Sequence, residues 1–216
     1  MDTILLFSGG LDSTVLLYHL LEKGDKVACL SADYGQTHCK ELQAAGAMCR
    51  ALGVVHRTVH VPYAATIGVP HPLVGGGNIP QGRWDDPSMS ATVVPNRNMI
   101  FLSLAGAWAM ASGAGRVAIA AHLGDKLIYP DCRLEFLTAV QNALSLSSGR
   151  LLEVYAPFLG LPKDKVVAEG ARMGVPFEKT WTCYAGGESP CGTCGACTER
   201  NDAFSSLGVE DPLSAG

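Results

Sequence analysis

The chain has 216 residues, of which 48% are hydrophobic, 17% charged and 7% aromatic. That length suits one large domain with at most a small appendage, and the high apolar and low charged fractions exclude disorder over most of it. Sixteen Lys and Arg against 20 Asp and Glu give a net charge of −4, which argues against a broad nucleic-acid footprint and leaves room only for a small basic patch. Taken in chain order, the apolar run at 4–7 reads as a buried strand, and 8–13 as the loop after it. Val15, Leu16, Leu20 and Leu21 then space as one helix face that Gly24 ends. A second strand is expected at 27–32, a helix at 41–52 closed by Gly53, and a third strand at 54–61. Residues 62–95 hold six prolines and the triplet Gly75-Gly76-Gly77. They read as a long loop, and a loop of that length is usually functional, as a lid or interface arm. A helix at 98–112, a strand at 116–121, a helix at 132–147, a strand at 151–156 and a helix from Pro162 to about Met173 complete the pattern. Apolar strands alternating with helices argue for an α/β fold, a doubly wound parallel sheet covered on both faces. Ligands in such sheets bind beyond the carboxyl ends of the strands.

The N-terminus lacks the basic start and long apolar core of a secretory signal. No stretch approaches the ~20 apolar residues of a membrane helix. A cytoplasmic protein is therefore expected, and eight cysteines in such a chain point to metal or catalysis before disulfides.

Phe7-Ser8-Gly9-Gly10-Leu11-Asp12-Ser13-Thr14 occupies the first strand–helix turn. Glycines let backbone N–H groups approach an anion, and a helix N-terminus adds partial positive charge and free donors. The Ser8, Ser13 and Thr14 hydroxyls can serve the same phosphates. Asp12 would repel a bare phosphate, so its natural role is to hold Mg2+. The lysine of the G-x-x-x-x-G-K-[ST] loop is missing. A plain tight turn with a serine N-cap would need two glycines and no more. The full S-G-G-x-D-S string after an N-terminal strand is more specific, and resembles the PP-loop of N-type ATP pyrophosphatases, which cleave ATP between the α and β phosphates.

Near the other end, Cys183 precedes Cys191-Gly-Thr-Cys194-Gly-Ala-Cys197. Two overlapping C-x-x-C turns aim thiolates at one ion, and with Cys183 complete a four-cysteine set suited to tetrahedral Zn2+. C-x2-C-x2-C also opens iron–sulfur sites; zinc is favoured because a structural four-thiolate site needs neither an open position nor a redox partner. Such a site would fix a segment, residues 179–210, with little core of its own, beside an α/β domain at 1–178. Cys29, Cys39 and Cys49 read as small packed hydrophobes.

The pair of motifs, with Thr180-Trp-Thr-Cys-Tyr-Ala-Gly-Gly-Glu and Arg200 around the cysteines, resembles the 7-cyano-7-deazaguanine synthase family. Asp33-Tyr34-Gly35-Gln36-x-His38, Val94-Pro95-Asn96-Arg97-Asn98, Tyr129-Pro130-Asp131-Cys132-Arg133, and Pro157 with Lys163 extend the resemblance over residues 2–204. It implies a fold like the adenine nucleotide α-hydrolases, and ATP-dependent conversion of 7-carboxy-7-deazaguanine and ammonia to the nitrile, a queuosine precursor, by a homodimer. The catalytic set would be Asp12, Lys163 and Arg97, with the loop from Phe7 to Thr14 on ATP, Asp12 on magnesium and Lys163 on pyrophosphate. Asp131, Arg133, Tyr34 and His122 are the candidates for substrate. Each has a second reading: Arg97 a helix-start ion pair, Asp131 an N-cap, His122 a structural histidine. Trp181 and Tyr184 either stack on the deazapurine or cover the metal loop. His38 and Asp125 fall on loops near the crevice. Three other functions share parts of the pattern: a relative joining a deazaguanine to another amine, as in antiviral defence; a PP-loop tRNA-modifying enzyme; and a zinc-held module without catalysis. The net charge counts against the second and the S-G-G-x-D-S loop against the third.

Overall fold

The computed structural model describes residues 1–63, 68, 71–75 and 77–213; Gly76 of the glycine triplet and residues 64–67, 69 and 70 of the long loop lie outside them. Among the described residues, five strands form one parallel sheet in the order β3-β2-β1-β4-β5. They are β1 Thr3–Leu6, β2 Val27–Asp33, β3 Val55–His60, β4 Arg116–Ala118 and β5 Glu153–Tyr155. The α-helices among the described residues are α1 Leu11–Glu22, α2 Lys40–Leu52, α3 Arg97–Ser112, α4 Asp125–Ile128, α5 Leu134–Ser148, α6 Lys163–Arg172 and α7 Gly195–Ser206.

Strand register explains the two faces. Leu5 lies opposite Cys29 and Ala118, and Ile4 opposite Ala28 and Val117. Because side chains alternate along a strand, the first set packs under α1, α2, α6 and α7 with Leu16, Met48, Val166 and Phe204. The second packs under α3 and α5 with Leu102, Ala105, Val140 and Leu144. Both faces are dry, so the central strands read as unbroken apolar runs. Edge strand β3 is far more open, with exposed Val55, Arg57, Thr58 and His60 and only His56 and Val59 half-buried.

Three helices differ from the sequence expectation, one of them the short α4, Asp125–Ile128, which no pattern marks. The region read as the 8–13 loop is already helical from Leu11. The segment around the cysteines, expected to have little core of its own, ends in α7, whose Ala203 and Phe204 join the main core. The described part of the 62–95 loop is also anchored: Gly82 N–H donates to the Thr193 carbonyl (2.9 Å) and the Trp84 indole to Asp202 (3.2 Å). The strand order reverses at β1, between β2 and β4, so the topological crevice opens at its carboxyl end.

Candidate active site

A cavity of about 290 Å3 lies at that crevice, walled by the carboxyl ends of β1 and β2 and by residues 119–121 after β4. Its first wall is the β1–α1 turn. Gly10 is the N-cap of α1 and has no side chain with which to cap it, so the first-turn N–H groups of the helix meet no side-chain acceptor there. Ser8 and Ser13 hydroxyls lie 3.0 Å apart beside it. The two glycines have different reasons. Gly9 holds φ +85, and a Cβ there would lie 2.3 Å from the Glu41 carbonyl oxygen and 2.6 Å from Ala45 N on α2. Gly10 has an ordinary φ of −75 and lines the cavity. Thr14, expected on phosphate, is fully buried and donates to the Gly10 carbonyl (2.8 Å), so its hydroxyl is spent on the turn itself.

Asp12, Lys163, His122, Asp125 and Glu199 converge behind this loop. Lys163 Nζ lies 2.6 Å from Asp12 Oδ2, 3.3 Å from Glu199 Oε2 and 3.4 Å from His122 Nε2. Burial opposes the Asp12 carboxylate, but the Lys163 ammonium holds it below the usual carboxylate range. Burial opposes the Lys163 ammonium too, and Asp12, Glu199 and Asp125 raise it above the ordinary lysine value. Burial and then Lys163 depress His122, leaving a neutral imidazole. Burial, with Asp12 next, pushes Asp125 up to about 6. The second oxygen of Asp12, Oδ1, is buried and has no hydrogen-bond partner among the described residues. A bare buried carboxylate oxygen beside an anion-binding turn is the donor a hard divalent cation takes.

The far wall is a different environment. Arg97 begins α3, after Asn96 in a left-handed conformation (φ 59). Among the described residues no carboxylate lies within ion-pair distance of its guanidinium; its neighbours are the hydroxyls of Tyr34, Tyr129 and Tyr184. The ion-pair reading of Arg97 therefore fails. Tyr34 and Tyr184 line the cavity, whereas Trp181 packs with Cys183, Cys194 and Cys197. Asp131 accepts from Asn98 N–H (3.1 Å), so it caps α3 rather than its own helix. Arg133 is exposed, donates to the Lys126 carbonyl (3.1 Å) and stands outside the cavity. His122 sits beneath the cavity floor against Lys163 rather than on its surface. Two cavity carboxylates had no motif to mark them. Glu199 is carried in by α7, and Glu41 by the first turn of α2. The only hint for either was its nearness to a helix start beside a motif.

The Sγ atoms of Cys183, Cys191, Cys194 and Cys197 all lie within 4.8 Å of one another. Four thiolates at the Zn–S distance of ~2.3 Å in a tetrahedron would stand about 3.8 Å apart, so the set fits one ion with little closure. Backbone N–H groups of Cys191 and Ala185 point at Cys183 Sγ (3.3 and 3.4 Å), as thiolates require. Cys194 is also the N-cap of α7, and Trp181 N–H donates to the Gly9 carbonyl (3.2 Å). The Trp181–Gly9 hydrogen bond ties the metal segment to the β1–α1 loop.

Among solved structures, an NMN synthetase from Francisella tularensis superposes with a TM-score of 0.56 at 14% identity, covering 99% of this chain and 80% of that one; the likeness is one of fold. Much nearer in sequence is a 7-cyano-7-deazaguanine synthase from Caldicellulosiruptor bescii, 42% identical over 99% of this chain and 96% of its own. Another from Archaeoglobus fulgidus is 43% identical over 99% and 90%. The family model described as queuosine biosynthesis protein QueC matches residues 2–208, a span that takes in both the β1–α1 loop and all four cysteines. With that match and those identities along nearly the whole length, the chain belongs to the QueC family.

Proposed function

We propose that the chain uses ATP to convert 7-carboxy-7-deazaguanine and ammonia into 7-cyano-7-deazaguanine through adenylated intermediates. The relatives' shared name supports this reading. One observation carries the chemistry: a single cavity has a phosphate-type turn with Asp12 and Lys163 at one end and at the other Arg97, a guanidinium with no carboxylate in ion-pair distance among the described residues. That is the arrangement needed to bring an organic carboxylate to the α-phosphate of ATP.

A carboxylate is a poor electrophile because its leaving group would be an oxide. Transfer of AMP to it releases pyrophosphate and turns that oxygen into a good leaving group. Ammonia then displaces AMP to give the amide, and a second adenylation on the amide oxygen permits elimination to the nitrile. The chain's task is to position reactants and stabilise charge. Backbone N–H groups around Phe7–Ser13 and the Ser8 and Ser13 hydroxyls bind ATP, while Gly9 and Thr14 hold that turn in shape. Lys163, kept charged by Asp12 and Glu199, serves the departing pyrophosphate. Arg97 grips the substrate carboxylate and Tyr34 borders the ring. Asp131 contributes by capping the helix that carries Arg97, and Arg133 has no contact with this chemistry. Asp12 Oδ1 would hold Mg2+, which when bound neutralises phosphate oxygens.

Zinc is the ion we assign to the cysteine set, because thiolates this close leave no space for a multi-iron core. It makes residues 179–210 a metal-pinned appendage of the 1–178 domain. The same reading includes a homodimer, which light scattering tests, and small-molecule partners rather than a polynucleotide or a membrane; no helix among the described residues is long and apolar enough to cross one. The deciding assay is mass spectrometry of the purified chain with the carboxylic acid, ATP, Mg2+ and ammonium. Nitrile and AMP are expected, and both vanish in Asp12→Ala. AMP release without amide or nitrile would refute ammonia as the nucleophile.

A further inference from the structure

Four carboxylates line the cavity: Asp12, Glu41, Asp125 and Glu199. Asp12 and Glu199 are engaged by Lys163, and Asp125 accepts from His122 N–H (2.9 Å). Glu41 differs. Among the described residues no hydrogen bond or ion pair reaches its side chain, although it is half-buried and sits in the first turn of α2. A half-buried carboxylate without a donor is costly unless a ligand supplies one. Its place is also specific. Oε1 comes within 3.9 Å of where a Cβ on Gly10 would stand, which sets the group beside the β1–α1 loop. Across the cavity, Arg97 and Tyr34 are near enough to feel its charge. Glu41 therefore lies between the end that binds phosphate and the end that would grip the substrate carboxylate.

We infer that Glu41 is the ammonium-binding residue of the site, the group that receives NH4+ and delivers it as NH3 beside the activated carbonyl. The inference rests on the function proposed above. Free ammonia is mostly protonated at neutral pH and has no lone pair to attack with. Burial raises the Glu41 carboxyl to about 7, so from neutral pH upward it is increasingly a carboxylate that suits a small cation with four N–H groups and can take a proton from it. Arg97 would repel that cation from its own end of the cavity, and the other three carboxylates are already engaged by Lys163 or His122 N–H. In the step, NH4+ gives one proton to the Glu41 carboxylate. The freed lone pair forms the C–N bond to the acyl carbon, and the C–O bond to AMP breaks with its electron pair on AMP. The nitrogen then loses a second proton to water, leaving the neutral amide.

The test uses the full chain, loaded with zinc, and Glu41→Gln, which is isosteric and should keep the melting temperature and metal content. With ammonium as nucleophile, the variant should show its KM for ammonium raised, or kcat/KM lowered, by at least about tenfold, the scale of one charged hydrogen bond. KM for ATP and for the carboxylic acid should stay within about twofold, a margin well below the ~1.4 kcal/mol of a tenfold change. Hydroxylamine, uncharged at neutral pH, needs no proton acceptor before attack, so hydroxamate formation by the variant should approach the wild-type rate. An equal loss with hydroxylamine, or a change confined to the acid's KM, would overturn the assignment and make Glu41 a contact of the deazapurine. Wild-type protein that adenylates the acid yet never incorporates nitrogen from ammonium would overturn the parent reading and this one together.

Discussion

Replacing Asp211 by alanine should strand a buried guanidinium. Arg200 on α7 has five N–H donors and uses all of them. Nε and Nη2 reach the two oxygens of Asp211 (2.6 and 2.8 Å), Nη1 reaches the hydroxyls of Thr180 and Thr182 (2.7 and 3.0 Å), and Nη2 also reaches the Phe177 carbonyl (3.0 Å). The Arg200 and Asp211 side chains are only 2% and 4% exposed. Removing one partner of such a pair costs about 3–5 kcal/mol, because the remaining charge has neither water nor a counter-ion. At roughly 2–4 °C per kcal/mol for a chain of this size, the melting temperature should fall by about 6–20 °C. Calorimetry with zinc content measured on the same samples is the assay. Glu22→Gln is the control: its pair with Arg172 is about half exposed at both ends (50% and 52%), so its melting temperature should barely move. Because Thr180 and Thr182 flank Trp181, whose N–H holds the Gly9 carbonyl, AMP formation should fall in Asp211→Ala as well. A shift of under about 3 °C with full metal would refute the claim that this pair is desolvated and unrelieved.

The two loop glycines should separate fold from binding. Gly9→Ala drives a Cβ into the α2 backbone at 2.3 Å and should lower the melting temperature along with activity, whereas Gly10→Ala, whose Cβ would meet nothing nearer than Ser8 Oγ at 3.1 Å, should melt normally and bind ATP more weakly in calorimetric titration. Cys194→Ser should lose metal, by inductively coupled plasma analysis, and stability together, since Cys194 is a fully buried member of the four-thiolate set; full metal and normal melting would contradict it. Asp125 tests the electrostatics. Burial and Asp12 raise its carboxyl to about 6 in the folded chain, above the unfolded value of ~3.9. A raised carboxyl means the fold prefers the protonated form, so its destabilisation sets in as pH rises through the unfolded value and is complete above the folded one. Asp125→Asn, able still to accept from His122 N–H, should therefore melt higher than wild type near pH 8 and no differently near pH 4 in paired thermal scans.

What could be read in the residues alone were features whose cause is local. Strand–helix alternation follows from hydrophobic period, and the S-G-G-x-D-S turn and the cysteine spacing are short-range geometry, so each stands in one stretch of chain. Helix α7 escaped notice because it starts inside the cysteine motif and because its core contacts, Ala203 and Phe204, are too few for a clear periodic stripe. A hydroxyl after S-G-G-x-D-S, such as that of Thr14, looks like a phosphate donor; only the folded turn shows it occupied by the Gly10 carbonyl.

Architecture, loop and family depend on residue order and spacing, and so are written along the chain. Which charges meet is a property of the fold. Lys163 and Asp12 are 151 residues apart and 2.6 Å from each other, while Asp131 and Arg133, inside one motif, turn to different tasks away from the cavity. Pairing of ionisable groups depends on burial and on distances of a few ångströms. Neither quantity exists until the sheet has brought the ends of its strands together.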